Sequence, residues 1–266
     1  MNSISLDGVT IRYDDSGPQD GLPVVLVHGH PFNRTLWAPQ TKALVAAGYR
    51  VIAPDLRGYG DSDVVPGVTP LSRFADDIAA LLDHVGVRRA VIGGVSMGGQ
   101  IAMEFHLRRP ERVRALVLSD TSPAAETEEG KAFRNSLADR LLAEGMDGYT
   151  AEVIDKMIAP YNVAGQPDVA AHVTGMMRAT DPEGAAAALR GRAERPDYHA
   201  SLASAAVPAL VLVGADDVYT PVAGAEALHA LIPHSTLAVV EGAGHLPGVE
   251  RPERFNAELL RFLDTL

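Results

Sequence analysis

The sequence predicts an α/β protein with a mostly parallel sheet, helices on both faces and a helical cap inserted into it. Three observations predict this class. Short apolar runs typical of strands buried on both faces alternate with helical patterns. Between residues 123 and 206 the buried-strand pattern stops and only helical segments follow. At Val91–Glu104 a strand-like segment turns directly into a helix. We therefore predict a core of residues 1–122 and 207–266, and a cap of residues 123–206.

The first elements form one side of the predicted sheet. Ile4–Leu6 and Val9–Tyr13 alternate around Asp7-Gly8, which predicts a β-hairpin of edge strands. The unbroken apolar run Leu22–Val27 predicts a central strand, because a strand covered on both faces needs no polar alternation. The pattern then predicts a helix over Leu36–Ala47, a strand over Tyr49–Ala53 and a helix over Leu71–Val85.

The later elements repeat this alternation on either side of the cap. After the strand–turn–helix segment, a further strand is predicted over Val113–Leu118. In the cap, helices are predicted over Lys131–Glu144, Ala151–Ile158, Val169–Met177 and Ala185–Ala193. The core resumes with a strand over Val207–Val213, a helix over Pro221–Leu231, a strand over Thr236–Val240 and a helix over Arg251–Leu266. This order is typical of a doubly wound sheet with an insertion.

The turn after Val91 contains Gly94-Val95-Ser96-Met97-Gly98, which matches G-x-S-x-G. In this pattern a serine occupies a strained corner and its hydroxyl stands clear of the sheet. The two glycines avoid the collisions that a Cβ would make at so tight a turn. A helix that starts here directs free N–H groups at negative charge forming beside the serine. Because five-residue patterns match by accident, a turn with an incidental serine is the alternative.

A serine hydroxyl becomes a good nucleophile only with a base that takes its proton and a third group that orients the base. Asp216 and Asp217 follow one predicted strand, and His245 follows the next. Neighbouring side chains of an extended segment point in opposite directions, so only one of the two aspartates can meet the histidine. The order Ser96, Asp217, His245 at three strand ends predicts a catalytic triad. An ordinary surface histidine is the alternative for His245.

Together these motifs identify a resemblance. They are His28-Gly29, Asp55-x-Arg57-Gly58-x-Gly60-x-Ser62, Gly94-x-Ser96-x-Gly98-Gly99, Gly214-x-x-Asp217-x-x-Thr220-Pro221 and Gly242-x-Gly244-His245. The chain resembles proteins of the α/β-hydrolase fold, in particular the lidded serine esterases, enol-lactonases and cofactor-free haloperoxidases. The resemblance implies that the backbone N–H groups of His30 and Met97 hold the oxyanion. It also implies an architectural role for Asp55 and Arg57, and it leaves Asp120 as a second candidate for the acid.

The resemblance implies a serine hydrolase that cleaves a small, uncharged or weakly polar ester or lactone through an acyl-enzyme, without a cofactor. Epoxide hydrolases and haloalkane dehalogenases carry an aspartate where this chain has Ser96, which argues against both. Pro31 resembles the proline of perhydrolases, so peroxide-dependent, haloperoxidase-like chemistry is an alternative, as is a proline that only stiffens the turn. A non-catalytic ligand receptor of the same fold is the alternative from another class. His28-x-His30 lacks further ligands at a recognisable spacing, so no metal site is predicted.

Apolar residues near these motifs and in the cap are candidates for the substrate pocket. We predict that Pro31, Phe32, Trp37, Met176 and Leu246 line it. The methionines of the predicted cap could line an acyl pocket or simply pack between its helices. They are Met146, Met157, Met176 and Met177.

Composition limits the possible partners. The chain has 266 residues, of which 47% are hydrophobic and 21% charged, enough to bury a full core. Its net charge of −11 disfavours nucleic acid or an anionic membrane as partner, because either requires a basic face. The absence of cysteine excludes disulfides and a thiol nucleophile and is compatible with a reducing compartment. The first residues lack the basic and apolar regions of a signal peptide, so we expect a cytoplasmic protein. The predicted ester or lactone chemistry leads us to expect a small molecule as its partner. The pattern gives no prediction of the oligomeric state.

Overall fold

A computed structural model, which describes all 266 residues, contains eight strands in one sheet. They are β1 (Asn2–Leu6), β2 (Val9–Ser16), β3 (Pro23–Val27), β4 (Arg50–Pro54), β5 (Ala90–Val95), β6 (Val113–Ser119), β7 (Ala209–Gly214) and β8 (Ser235–Val240). Their order in the sheet is β1-β2-β4-β3-β5-β6-β7-β8. The pairs β1–β2 and β2–β4 are antiparallel and every other pair is parallel. The predicted α/β class is therefore confirmed.

Twelve α-helices connect and cover these strands. They are α1 (Ala38–Ala46), α2 (Leu71–His84), α3 (Met97–Arg108), α4 (Glu128–Glu144), α5 (Asp147–Met157), α6 (Pro160–Gly165), α7 (Pro167–Ala179), α8 (Pro182–Ala193), α9 (His199–Ala203), α10 (Val222–Leu231), α11 (Pro247–Glu250) and α12 (Pro252–Leu263). Short 3₁₀ helices lie at Arg34–Trp37 and Pro110–Arg112. None of the helices combines the length and the apolar character needed to cross a bilayer.

The N-terminal hairpin follows the prediction at its turn and departs from it at its second strand. Asp7 and Gly8 have φ of +52° and +81°, the left-handed conformation that a two-residue hairpin turn requires. Strand β2 continues to Ser16 and pairs with both β1 and β4, so of the two hairpin strands only β1 lies at an edge of the sheet. The extension is stabilised by Asp15 near its end, whose carboxylate pairs with Arg50 of β4 at 2.7 Å.

The sheet is covered on both faces, which explains why its central strands are apolar throughout. Two separate hydrophobic clusters contain 36 and 34 buried residues. Within β3, Val24 and Leu26 belong to one cluster, and Val25 and Val27 belong to the other. Since side chains of a strand alternate between faces, a strand between two such layers must be apolar at every position.

Helices α4 to α9 lie between β6 and β7, in the segment predicted to form the cap, and we use the word cap for these six helices and the loops between them. Helix α4 packs against α8. Two of the six, α6 and α9, were not predicted, because helices of six and five residues are too short to give a hydrophobic period. That this segment is a separate domain bounded at 123 and 206 stays a prediction.

Candidate active site

Ser96 occupies the sharp turn between β5 and α3. Its φ of +56° and ψ of −118° are rare for a residue with a side chain, and such strain persists only when neighbouring contacts hold it. The Ser96 N–H donates to Ser119 O at 2.9 Å, and the Thr121 hydroxyl donates to Ser96 O at 2.8 Å. Met97 follows as the first residue of α3, where N–H groups have no acceptor within the helix.

The glycines of this turn allow its backbone segments to touch. A Cβ on Gly94 would lie 2.3 Å from the carbonyl of Gly98. A Cβ on Gly98 would lie 2.1 Å from the carbonyl oxygen of Val27. Any larger residue at either place would move β5, α3 or β3, so the steric reason given for the motif applies here.

His245 and Asp217 lie together beyond β8 and β7, and both are buried. His245 Nδ1 lies 2.8 Å from Asp217 Oδ2, and the carboxylate also accepts the Tyr219 N–H at 2.8 Å and the Thr220 hydroxyl. Burial by itself raises the pKa of Asp217, but the imidazole and these hydrogen bonds outweigh it and hold the pKa below its usual range. An ionised carboxylate only accepts, so the hydrogen of the imidazole resides on Nδ1.

The adjacent aspartate points the other way. Asp216 is exposed and accepts a hydrogen bond from the Tyr161 hydroxyl at 2.5 Å, away from His245. The two side chains diverge as expected, but the cause is a turn and not an extended strand, since β7 ends at Gly214 and the Asp217 N–H donates to Gly214 O at 3.2 Å.

Asp120 lies close to the same pair. It has φ of +48°, is buried, and accepts the Gly214 N–H at 2.9 Å. The functional atoms of Asp120, Asp217 and His245 all lie within 4.8 Å of one another. Burial and the neighbouring Asp217 raise the pKa of Asp120 well above its usual range. Two carboxyls this close cannot both ionise easily, so the proton belongs to Asp120 and the charge to Asp217.

The two histidines of the turn after β3 differ in their environments. Both ring nitrogens of His28 are occupied, since Nδ1 donates to Gly29 O at 2.9 Å and Nε2 accepts the Leu56 N–H at 3.0 Å. In His30, Nδ1 lies 2.8 Å from the Tyr59 hydroxyl, and Nε2 is buried without a partner. His28 therefore has a structural role and offers no lone pair to a ligand.

Ser96, His245 and His30 line one cavity of about 480 Å³ between the sheet and the cap. Only seven of its 22 lining residues are hydrophobic, so most of the residues that line it are polar or charged. The cap contributes residues from α4, α5 and α8. Phe133 and Tyr219 lie at the cavity and are 64% and 45% exposed, which places them toward its opening.

The predicted pocket residues lie elsewhere, and that prediction is wrong. Trp37 and Leu246 line a separate space of only about 10 Å³. Phe32 and Met176 are buried in the core, and Pro31 is buried with its carbonyl bonded to a cap hydroxyl at 3.0 Å. Large apolar side chains near the site fill the space between sheet and helices instead of facing the cavity. Among the four cap methionines only Met157 lines the cavity, which favours the packing interpretation for the others, Met146, Met176 and Met177.

Charged side chains that were not predicted surround the cavity instead. Its cationic residues are Arg134, Arg140, Lys156, Arg192 and Arg195, and its carboxyl residues are Asp120, Glu126 and Glu152. Glu126 accepts from Arg195 Nη1 at 2.6 Å and from Arg134 Nε, and Arg140 pairs with Glu152 at 3.0 Å. The only signal in the sequence is the occurrence of arginines in α4 and α8, which is equally typical of a solvated helix face.

The Asp55–Ser62 loop has the contacts of an architectural segment. Arg57 donates two hydrogen bonds to the Asp77 carboxylate, both at 2.7 Å. Asp55 accepts the N–H groups of Arg34 and Asp61 at 2.8 and 2.9 Å. Asp55 and Arg57 do not line the cavity.

Glu250 holds the loop that carries His245. Its Oε1 accepts the N–H groups of Gly244 and Leu246, at 2.9 and 3.2 Å, on either side of the histidine. Its Oε2 accepts the N–H of Ala159 from the cap at 2.9 Å, together with an asparagine side chain at 2.8 Å. The carboxylate is buried and therefore fixes the histidine loop and the cap to each other. No motif pointed to it.

Comparison with known proteins identified a matching family model and similar proteins over nearly the whole chain. A family model described as the alpha/beta hydrolase fold matches residues 23–252. The chain is 28% identical to 3-oxoadipate enol-lactonase 2 from Acinetobacter baylyi, over 96% of this chain and 93% of that one. It is 32% identical to a non-heme chloroperoxidase from Kitasatospora aureofaciens, over 97% of each. A thermophilic esterase from Thermogutta terrifontis, solved with malate bound, superimposes with a TM-score of 0.94 at 39% identity, covering 97% of this chain and 94% of that one.

Proposed function

The chain belongs to the α/β-hydrolase family, and we propose that it is a serine hydrolase that cleaves a small carboxylic ester or lactone through an acyl-enzyme. One observation carries the proposal. The Asp217–His245 hydrogen bond of 2.8 Å lies at the same cavity into which the strained turn presents Ser96. Relatives named as an enol-lactonase and an esterase support this substrate class.

In the proposed mechanism, Ser96 Oγ attacks the substrate carbonyl while His245 Nε2 takes its proton. Asp217 keeps the hydrogen on Nδ1 of His245 and stabilises the imidazolium that forms. The low pKa of Asp217 suits this role, because the carboxylate stays ionised. The neighbouring Asp120, with its raised pKa, supplies no second negative charge.

The negative charge that develops on the carbonyl oxygen needs donors already in place. We assign this to the backbone N–H groups of His30 and Met97, beside Ser96. His245 then returns the proton to the leaving alcohol, and the acyl-enzyme forms. A water activated by the same imidazole hydrolyses it and restores the serine.

The test is turnover across p-nitrophenyl esters of rising chain length and a set of simple lactones. Ser96→Ala should fold as the wild type by circular dichroism and lose on the order of 10⁴-fold or more in kcat, because it removes the nucleophile. Comparable rates in both proteins would contradict the mechanism. Ligand binding without any turnover in the wild type would favour the receptor alternative.

A second candidate is peroxide-dependent acyl transfer, favoured by the chloroperoxidase relative and by Pro31 next to His30. Proline fixes its own φ and restricts the residue before it, so it shapes the loop beside the proposed oxyanion site. We expect the wild type to form peroxyacetic acid from acetate and hydrogen peroxide, and Pro31→Leu to form less. Equal, negligible rates in both would remove this candidate.

A further inference from the structure

Arg192 is the one arginine of the cavity without a carboxylate partner in the protein. It lines the cavity together with Ser96, and its only side-chain hydrogen bond runs from Nε to Gln100 Oε1 at 2.7 Å. Gln100 lies one helical turn beyond the serine, and its N–H donates to Ser96 O at 3.2 Å. Gln100 therefore links the guanidinium to the backbone of Ser96 through two hydrogen bonds, and neither Nη group of Arg192 has a hydrogen-bond partner in the protein.

The surroundings of Arg192 add positive charge instead of neutralising it. Arg134 and Arg195 share the single carboxylate of Glu126. Burial, with the nearby Arg134 and Arg195, holds the pKa of Arg192 well below its usual range. A desolvated cation without a counter-ion is costly, and a purely structural arginine would be paired within the protein. The chain as a whole carries a charge of −11, so an excess of cations here is not a consequence of composition.

The helix that carries Arg192 contacts the core through its backbone. A Cβ on Gly184 would lie 2.0 Å from Gly58 O, and a Cβ on Gly191 would lie 1.7 Å from Thr69 O. The Thr69 N–H also donates to a carbonyl of α8 at 2.9 Å. Contacts this close fix the position of α8, and with it the starting point of the Arg192 side chain.

A second polar group of the cavity also lacks a partner. His30 Nε2 is buried and makes no hydrogen bond. Nearby Arg192 contributes, after burial, to the lowered pKa of His30. The cavity therefore holds unpaired polar groups on both His30 and Arg192. A ligand with negatively charged oxygens would accept hydrogen bonds from the Nη groups of Arg192.

We infer that the substrate is an anionic ester or lactone whose carboxylate binds Arg192 while its carbonyl lies at Ser96. A carboxylate fits because its two oxygens match the two parallel donors of a guanidinium edge. The inference deepens the proposed function and rests on it. It also replaces the uncharged or weakly polar substrate that the sequence led us to expect.

The experiment compares two esters of equal shape, methyl hydrogen glutarate and methyl glutaramate, whose carboxylate and amide differ in charge. Hydrolysis is followed by pH-stat. We expect the wild type to prefer the anionic ester by about 10- to 100-fold in kcat/KM, as a charge-assisted hydrogen-bonded pair provides. The preference should shrink as salt is raised, a readout that needs no variant.

Arg192→Gln should abolish the preference by lowering kcat/KM for the anionic ester to the value for the amide ester, and Arg192→Lys should keep part of the preference. The matched control is Arg190→Gln on the same helix, because Arg190 pairs with Asp139 at 2.7 Å and does not line the cavity. The control should retain the full preference.

Binding of glutarate, measured by calorimetry, separates this inference from the proposed function. We expect the wild type to bind glutarate and Arg192→Gln to lose that binding. Equal turnover of both esters, with glutarate binding absent or unaffected by Arg192→Gln, would overturn the inference and leave the hydrolase intact. Arg192-dependent binding of glutarate without turnover of any ester would support the carboxylate site and overturn the proposed function.

Discussion

The two sides of the cavity are built in different ways. On the sheet side, Ser96 and His245 follow strand ends, and backbone geometry fixes them through a strained φ and touching glycines. On the cap side, Arg134 and Arg192 extend from helices as long side chains, and their polar contacts are with other side chains. The comparison teaches that the proposed chemistry depends on backbone geometry, whereas the proposed recognition of a carboxylate depends on side chains that extend from helices.

The largest effect should come from the sheet side. Asp217→Asn should lower kcat on a reactive ester by up to ~10⁴-fold, because the amide no longer fixes the hydrogen on Nδ1 of His245. Asp216→Asn, one residue away and exposed, is the matched control and should stay near wild type. Circular dichroism checks the fold. A severe loss at Asp216 with Asp217→Asn near wild type would refute the assignment.

An intermediate effect is expected where the two sides meet, at Glu250. Glu250→Gln keeps the shape but turns one acceptor into a donor that faces N–H groups, leaving at least one of them unpaired. We expect a loss of about 1–3 kcal/mol in unfolding free energy. We also expect a fall in kcat of about 10- to 100-fold, since small displacements of a catalytic group are costly.

Urea unfolding and steady-state kinetics measure both effects of Glu250→Gln. The control is Glu253→Gln, an exposed carboxylate at the start of α12, which should change neither quantity. Lost stability with an unchanged kcat would show that Glu250 does not position His245.

The smallest effect on rate should be that of Asp120→Asn, because Asp120 already carries a proton beside Asp217. Its signature is instead the pH dependence of stability. A raised pKa means that the native state binds this proton more tightly than the unfolded state. The stability that protonated Asp120 contributes to the native state is fully present below the pKa of about 4 that an aspartate has in the unfolded chain. It is lost as the pH rises toward the pKa of Asp120 in the folded protein.

We would measure the free energy of unfolding of the wild type and of Asp120→Asn from about pH 5 to about pH 8, and compare how steeply it changes with pH in the two proteins. Within the window the wild type should lose up to about 1.4 kcal/mol per pH unit relative to the variant. Parallel curves for the two proteins would show that Asp120 is ionised in the native state.

The sheet side could be anticipated from the sequence because its backbone restricts residue types at fixed spacing. Gly94 and Gly98 are required by contacts of 2.3 and 2.1 Å, and such requirements recur as a short motif. The bounds of α2 were also predicted to within one residue, whereas α4 begins three residues before its predicted start. Arg192 could not be predicted, because its neighbours come from distant segments and an arginine on a helix is usually solvated.

The pocket prediction failed for a related reason. Phe32 and Trp37 follow the strand that ends near the site, but nothing local decides whether such side chains face the cavity or the core. The structure buries both at 2% exposure or less, because large apolar groups gain most by full removal from water. Proximity in sequence to a catalytic motif is therefore a poor guide to the lining of its pocket.

The contact of Gly184 and Gly191 with the core has a consequence for how specificity can change. A side chain at either position would push α8 outward, so the present contact of the helix with the core requires glycine at both places. Replacement of Arg192 alters only what the helix presents to a substrate. Because α8 is already in place before a ligand binds, binding costs little backbone entropy. A side chain substituted at position 192 therefore extends from the same backbone position as Arg192. We therefore expect single substitutions on α8 to change the substrate preference without rebuilding the fold.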